Sequence, residues 1–212
     1  KIKVYDILKQ AHDQKVLVDK NDKILLEFID YIKNLKSIPH SQIFQDIFAS
    51  FVIKNEFDKT FLEFGATNGL SLSNTYMLEK ELGWSGALAE PDVQWIDSLK
   101  KNRPNTKIIT KCIWKKSNEK LNFFSSDEGV LSTLEEFKYS DAESLPGNTD
   151  LRNKSGKNIV VETISLNDVI KQYFNGKCPS YISVDTEGSE FEILNSFNFS
   201  DYRPAVFTVE HN

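Results

Sequence analysis

The stretch Phe61-Leu-Glu-Phe-Gly-Ala-Thr-Asn-Gly69 constrains this chain more than any other. A short apolar run, Phe61 to Phe64, leads into two glycines four residues apart, Gly65 and Gly69, and a helix-compatible segment follows from Ser71 to Leu82. That order predicts a strand, a tight glycine turn and a helix. In an open α/β sheet such a turn lies at the carboxyl end of a strand, where ligands collect. Glycine lets the backbone turn sharply and lets a ligand approach it. The helix start offers unpaired N–H groups. Glu63, two residues before the first glycine, suits a cationic or hydroxyl-rich ligand better than a pyrophosphate.

Length and charge narrow the rest. A chain of 212 residues, 40% hydrophobic and 27% charged, fits one soluble domain with a real core. A net charge of −5 argues against a general nucleic-acid binder, whose affinity rests on phosphate neutralisation. Cys112 and Cys178 lie far apart without metal-ligand spacing, so they read as buried or free thiols. No apolar run reaches the ~18 residues of a membrane span, and no signal peptide is visible. The expectation is a cytoplasmic protein. Without an initiator Met, the chain is expected to be a fragment or a processed product.

Residues 1–56 are expected to be a helical segment packed on the core. Val4, Ile7 and Leu8 have helical spacing, and Ile24, Leu25, Phe28, Ile29, Ile32 and Leu35 form a clearer stripe. After Ser37-Ile-Pro39, Ser41 is a candidate N-cap for a helix carrying Ile43, Phe44, Ile47, Phe48 and Phe51. From residue 57 short apolar strands alternate with helix-like segments, the pattern of a mostly parallel sheet with crossover helices. Strands are predicted at 61–64, 87–89, 107–114, 121–124, 159–164, 181–184 and 205–209. The 121–124 and 159–164 runs can pair as a hairpin-like insertion. The polar stretch 140–157 is long enough to be a mobile loop or lid. A helix is expected at 166–173, capped by Ser165 or Asn167.

Four predicted strand ends carry chemistry: the glycine turn, Glu90, Asp185 and Glu210-His211. A doubly wound sheet brings such ends to one edge. Glu90 is placed to accept hydrogen bonds from both hydroxyls of a ribose, because an ionised carboxylate is an acceptor through two oxygens. That fits a nicotinamide nucleotide or S-adenosylmethionine. The dinucleotide fingerprint wants Gly-x-Gly-x-x-Gly, whereas this chain has Glu-x-Gly-x-x-x-Gly, without the close glycine pair that admits a pyrophosphate. The spacing therefore favours S-adenosylmethionine over an oxidoreductase cofactor. Asp185 is a candidate contact for the methionine amino group or the substrate hydroxyl, and His211 a candidate general base. Asp185, Glu210 and His211 also form a possible divalent-ion set, but no metal is assigned. Glu190 and Glu192 read as solvated helix starters.

These motifs together resemble a known family. Residues 61–76, then Gly83-Trp-Ser-Gly-Ala-Leu-Ala-Glu-Pro91, then Ser183-Val-Asp-Thr-Glu-Gly-Ser-Glu-Phe-Glu-Ile-Leu194, look like the FkbM family of S-adenosylmethionine-dependent methyltransferases. The Ser41-Gln-x-x-Gln-Asp46 element is similar to the entry segment of these proteins. The resemblance covers about residues 41–212. It implies an α/β fold with a Rossmann-like class I methyltransferase sheet, flanking helices and a β insertion after the third strand, over residues 57–212. It also implies O-methylation of a hydroxyl on a sugar, polyketide or related small molecule or glycan. By resemblance Glu63, Gly65, Ala66, Asn68 and Gly69 surround the methionine portion, Glu90-Pro91 the ribose, and Cys112-Ile113 the adenine. A non-catalytic cofactor-binding module on the same fold is the alternative. Thr67 departs from the acidic or aromatic residue common in such turns. The family's sheet has two further strands after the fifth, so the expectation is either a truncated domain or a core completed by the inserted strands and N-terminal helices.

Overall fold

The computed structural model describes residues 23–54, 57–140 and 146–210. The chain divides into two compact units, residues 1–39 and 40–212. In the first, helix α1 (Lys23–Asn34) has an apolar stripe and no buried side chain; Ile24 is 71% exposed. The Asn34 side-chain amide donates to Asp30 O at its end. The helical spacing expected at Val4, Ile7 and Leu8 lies outside the described residues.

The second unit begins with helix α2 (Gln45–Ile53), which starts later than Ser41. Asp46 is the reason. Its buried carboxylate accepts from the His40 and Ser41 amides and from Ser41 Oγ, gathering residues 40–46 into a turn with Phe44 in the left-handed region at φ 68°. The helix then buries Ile47, Ala49, Phe51 and Ile53, while Ile43 and Phe48, expected on the same face, point outward.

Two sheets follow. The first has five parallel strands in the order β3-β2-β1-β8-β9: β1 (Thr60–Phe64), β2 (Ser85–Ala89), β3 (Lys107–Ile109), β8 (Tyr181–Val184) and β9 (Val206–Val209). β1 and β8 are buried almost throughout, as expected of strands covered on both faces. The second sheet has the order β4-β7-β5-β6. In it β4 (Cys112–Trp114) pairs parallel with β7 (Gly156–Ser165), which pairs antiparallel with β5 (Lys120–Ser126), and β5 with β6 (Thr133–Leu134). The single strand expected at 107–114 is therefore two strands. The chain leaves the first sheet after Ile109 and enters the second at Cys112.

The helices start where their caps dictate. Helix α3 spans only Tyr76–Lys80, because Ser73, Asn74 and Thr75 are drawn away from helical pairing to serve Glu63. Helix α4 (Val93–Asn102) is capped by Asp92 and stops before Pro104. Helix α6 (Leu166–Tyr173) is capped by Ser165, whose Oγ accepts from Asp168 N at 3.2 Å. The stretch expected as a loop, 140–157, contains helix α5 (Pro146–Lys154). Helix α7 (Glu190–Asn195) buries Ile193 but leaves Phe191 exposed. The main core joins Leu62, Phe64, Ala87, Ala89, Ile182 and Val184 of the first sheet to Ile113 and Ile164 of the second and to Val169, Ile170 and Ile193 of the helices. A smaller core holds Cys112, Trp114, Phe123, Leu134 and Val161.

Candidate active site

Parallel strands put their carboxyl ends on one edge. β1, β2, β8 and β9 therefore deliver Gly65, Glu90, Asp185 and Glu210 to the same side of the sheet. A cavity of ≈ 320 Å³ opens there. The glycine turn, the ends of β2 and β8, and the segment that leads into β6 (Gly129 to Ser132, with Leu134) line it.

The glycine turn is rigid. Gly65 has φ +65°, and a Cβ on it would meet Asp185 O at 2.1 Å, so only glycine lets the turn lie against the end of β8. Gly69 has φ +70° and packs against the side chains of Leu99 and Arg103. Behind the turn, Glu63 is buried. Its Oε1 accepts from Asn74 N at 2.7 Å, and its Oε2 accepts from Ser73 Oγ at 3.0 Å and from Thr75 Oγ1. Burial raises the Glu63 pKa, and the positive charge of Arg103 with these hydrogen bonds opposes the rise. Arg103 is itself fully buried. It is paired with Glu79, donates to Gly69 O at 3.1 Å, to Ser73 Oγ at 3.2 Å and to Thr75 Oγ1 at 3.1 Å, and lies over the rings of Phe61 and Tyr76. The turn is thus tied to α4 through one guanidinium.

At the end of β2, Glu90 is 3% exposed and lines the cavity. Thr67 N donates to its Oε2 and Asp92 N to its Oε1, both at 2.8 Å. Burial pushes its pKa up to about 7; the two amides pull it down and the charge of Asp92 pushes it further up. Each carboxylate oxygen has room for a second donor. Beside it, Cys112 and Ile113 form an apolar wall; burial and the charge of Glu90 push the Cys112 thiol up to about 12, which keeps it an inert hydrophobe.

The end of β8 is different. Burial pushes the Asp185 carboxyl well above the carboxylate range, and Glu210, Glu187 and Glu190 all push the same way. Carboxylate oxygens of Asp185, Glu187 and Glu210 lie within 4.8 Å of one another. Glu210 Oε2 is buried without a hydrogen-bond partner. Glu187, at φ 58°, pairs with Arg152 of α5 at 2.8 Å. Glu190 is structural: it accepts from the Thr186 and Gly188 amides and from Thr186 Oγ1, which fixes the turn into α7.

The segment 129–134 is pinned from two sides. Ser132 Oγ donates to Asp92 Oδ2 at 3.0 Å, and Gln94 reaches Ser126 O at 3.0 Å. Arg152, 1% exposed, donates to Leu131 O at 3.0 Å and Lys138 O at 3.3 Å besides pairing with Glu187. Helix α5 thereby links the segment 131–138 to the end of β8.

Of the residues singled out in the sequence, Glu63, Gly65, Ala66, Glu90, Pro91, Cys112, Ile113 and Asp185 line this cavity. Asn68 and Gly69 do not. Asn68 closes the turn by accepting from Leu70 N and Ser71 N, and Gly69 contacts α4. His211 lies outside the described residues. Gln42 and Gln45, of the segment similar to the family's entry element, also line the cavity. Sequence reading passed over Arg103, Arg152, Asn148 and the segment 129–134. Gly129 is the available signal there: it has φ +44° and lies against the Trp95 ring.

Comparison with known proteins adds one match. The model of the methyltransferase FkbM domain fits residues 63–212, which include every described cavity residue beyond Gln42 and Gln45. No curated protein and no solved structure matches the chain.

Proposed function

Because this chain belongs to the FkbM methyltransferase family, we propose that it transfers the methyl group of S-adenosylmethionine to a hydroxyl of a sugar, polyketide or related acceptor. The observation that carries the donor assignment is Glu90. It is a buried carboxylate at the end of the second strand, held in place by two backbone amides and turned toward the cavity. That arrangement suits a vicinal diol of a ribose. The apolar wall of Cys112 and Ile113 beside it suits a purine ring. The glycine turn, with Gly65 and Ala66 at the cavity, suits the methionine portion, and no phosphate-binding glycine pair competes. In this reading the five parallel strands are the Rossmann-like methyltransferase sheet, and the second sheet is an insertion that supplies the wall facing the donor.

The sulfonium is intrinsically reactive, so the protein's main task is in-line alignment at close range. A lone pair of the acceptor oxygen forms the new C–O bond as the C–S bond breaks and its electrons return to sulfur. The hydroxyl proton must then be taken up. Asp185 sits at the cavity, and burial with the neighbouring carboxylates raises its pKa to about 9, so its ionised form is a strong proton acceptor and proton uptake through it should rise with pH. Asn148 and Leu131, which also line the cavity, are placed to meet the acceptor.

Isothermal titration of the folded chain with S-adenosylhomocysteine tests the donor site. Saturable binding that is lost in Glu90→Ala is expected. A folded sample that takes up no S-adenosylhomocysteine sinks the assignment. Mass-spectrometric screening of hydroxylated acceptors for a gain of one methyl group then tests the reaction.

A further inference from the structure

The sheet register stacks polar side chains in rows. Glu63, Ser183 and Thr208 are neighbours across β1, β8 and β9, and they share one face. The next row on that face, two residues on, is Gly65, Asp185 and Glu210. Thr208 Oγ1 donates to Ser183 Oγ, and Asn74 lies over the same row, donating from its backbone to Glu63 and from its side chain to Ser183 Oγ at 2.8 Å. Asn74 is 6% exposed and lines the cavity, and its Oδ1 is buried without a donor. Glu210 Oε2 in the next row is in the same condition. A buried acceptor with no donor is costly, and native structures rarely leave one. Here both belong to residues that line one cavity, and Glu210 is one of three carboxylates clustered there.

The chemistry of the missing partner follows from the donor count. Among the described residues no ion pair reaches Asp185 or Glu210, and Arg152 pairs with Glu187. A ligand that satisfies this end of the cavity must be positively charged and must accept several oxygen donors at once. Hard divalent cations take carboxylate and amide oxygens in this way.

We propose that Asp185, Glu187 and Glu210 bind a divalent cation of the Mg²⁺ or Mn²⁺ class, with the unpartnered Oδ1 of Asn74, a residue of the same cavity, as a further oxygen ligand. Ion binding itself does not depend on the methyltransferase reading. Its use does: an ion there polarises an acceptor hydroxyl beside the methyl donor and lowers the demand on any base.

The test is Mn²⁺ titration of the native chain, followed by the electron paramagnetic resonance of free Mn²⁺, with no methyl donor present. Expected are one saturable Mn²⁺ per chain, displacement by excess Mg²⁺, and at least a tenfold weaker affinity in Glu210→Gln and in Asp185→Asn. Far-UV circular dichroism establishes that each variant is folded, and the native titration stands even if neither is. A native chain that leaves the Mn²⁺ signal unchanged overturns the proposal. So does undiminished Mn²⁺ uptake by a folded Glu210→Gln. If the native chain ignores Mn²⁺ while Glu210→Gln loses S-adenosylhomocysteine affinity, the acceptors serve an organic ammonium group instead and the metal site is refuted. Mn²⁺ uptake without any S-adenosylhomocysteine binding leaves the site standing and removes the proposed function.

Discussion

Glu63, buried, and Asp185, half-buried, are carboxylates at the ends of neighbouring strands, and the protein treats them in opposite ways. Glu63 is surrounded by donors: an amide, two hydroxyls and the charge of Arg103 all oppose the effect of its burial. Asp185 is surrounded by other acids, and each neighbour adds to the effect of its burial. Glu90 lies between these extremes, with two amide donors and no cation partner. Desolvation is common to all three. What differs is whether the fold or something outside it supplies the compensating charge. A carboxylate compensated internally holds the structure together. One left uncompensated at a cavity marks where the structure stops providing for itself.

The sharpest way to break this contrast is Arg103→Met. It keeps the aliphatic volume but strands Glu79 and the ring of donors around Glu63. It is expected to destabilise the fold by about 3–5 kcal/mol, the usual cost of removing one partner from a buried ionic network. A shift in the urea midpoint measures it, and a loss below about 1 kcal/mol would show that the glycine turn does not depend on this guanidinium.

A middle-sized effect is expected at Glu90, through pH. Its folded pKa of about 7 lies above that of an unfolded carboxyl, so folding takes up a proton between the two values and stability falls as pH rises through that window. Ligand binding runs the other way. A diol is held by the ionised form, so S-adenosylhomocysteine affinity should fall about tenfold per pH unit below 7 and level off above it. Titrations at pH 5.5, 6.5 and 8 read the slope, and Glu90→Gln should flatten it; a flat profile in the unsubstituted chain would separate Glu90 from the ribose.

The smallest effect, and the one with reversed sign, is expected at Asp185. Without divalent ions and above about pH 9, where Asp185 is ionised despite its raised pKa, Asp185→Asn removes a like charge from a crowded set and should stabilise the fold by on the order of 1 kcal/mol, while methyl transfer falls. A lowered thermal midpoint under those conditions would place Asp185 with Glu63 as a structural carboxylate.

Strands, caps and apolar faces were largely legible in the sequence, and charge burial was not. The runs Phe61–Phe64 and Tyr181–Val184 announce buried parallel strands, and Ser165 announces a helix start, because hydrophobic spacing and capping are local signals. Arg103 and Arg152 gave no such warning. Their burial depends on carbonyls and carboxylates 14 to 35 residues away, and nothing in their own neighbourhood distinguishes them from surface arginines. Helix α5 was hidden for the same reason. Leu151 is its one large apolar residue, too little to make a stripe, and its buried residue is Arg152. The glycine turn does line the cavity through Gly65, Ala66 and Thr67, yet Asn68 and Gly69, which the resemblance places around the methionine portion, hold the shape of the turn. A turn residue that shapes a cavity and one that touches its contents look alike in one dimension.

The break at Thr110-Lys111, where the chain passes from β3 to β4, has a consequence for how such a protein diversifies. Cys112 and Ile113 belong by hydrogen bonding to the second sheet, whose core is Trp114, Phe123 and Leu134, and yet they form a wall of the cavity. On the proposed function, the surface for the donor is therefore carried on the same slab as the surface for the acceptor. A lineage that remodels this slab to accept a new acceptor will disturb its grip on the donor at the same time, so new specificities should arise through paired substitutions on either side of Trp114 rather than singly.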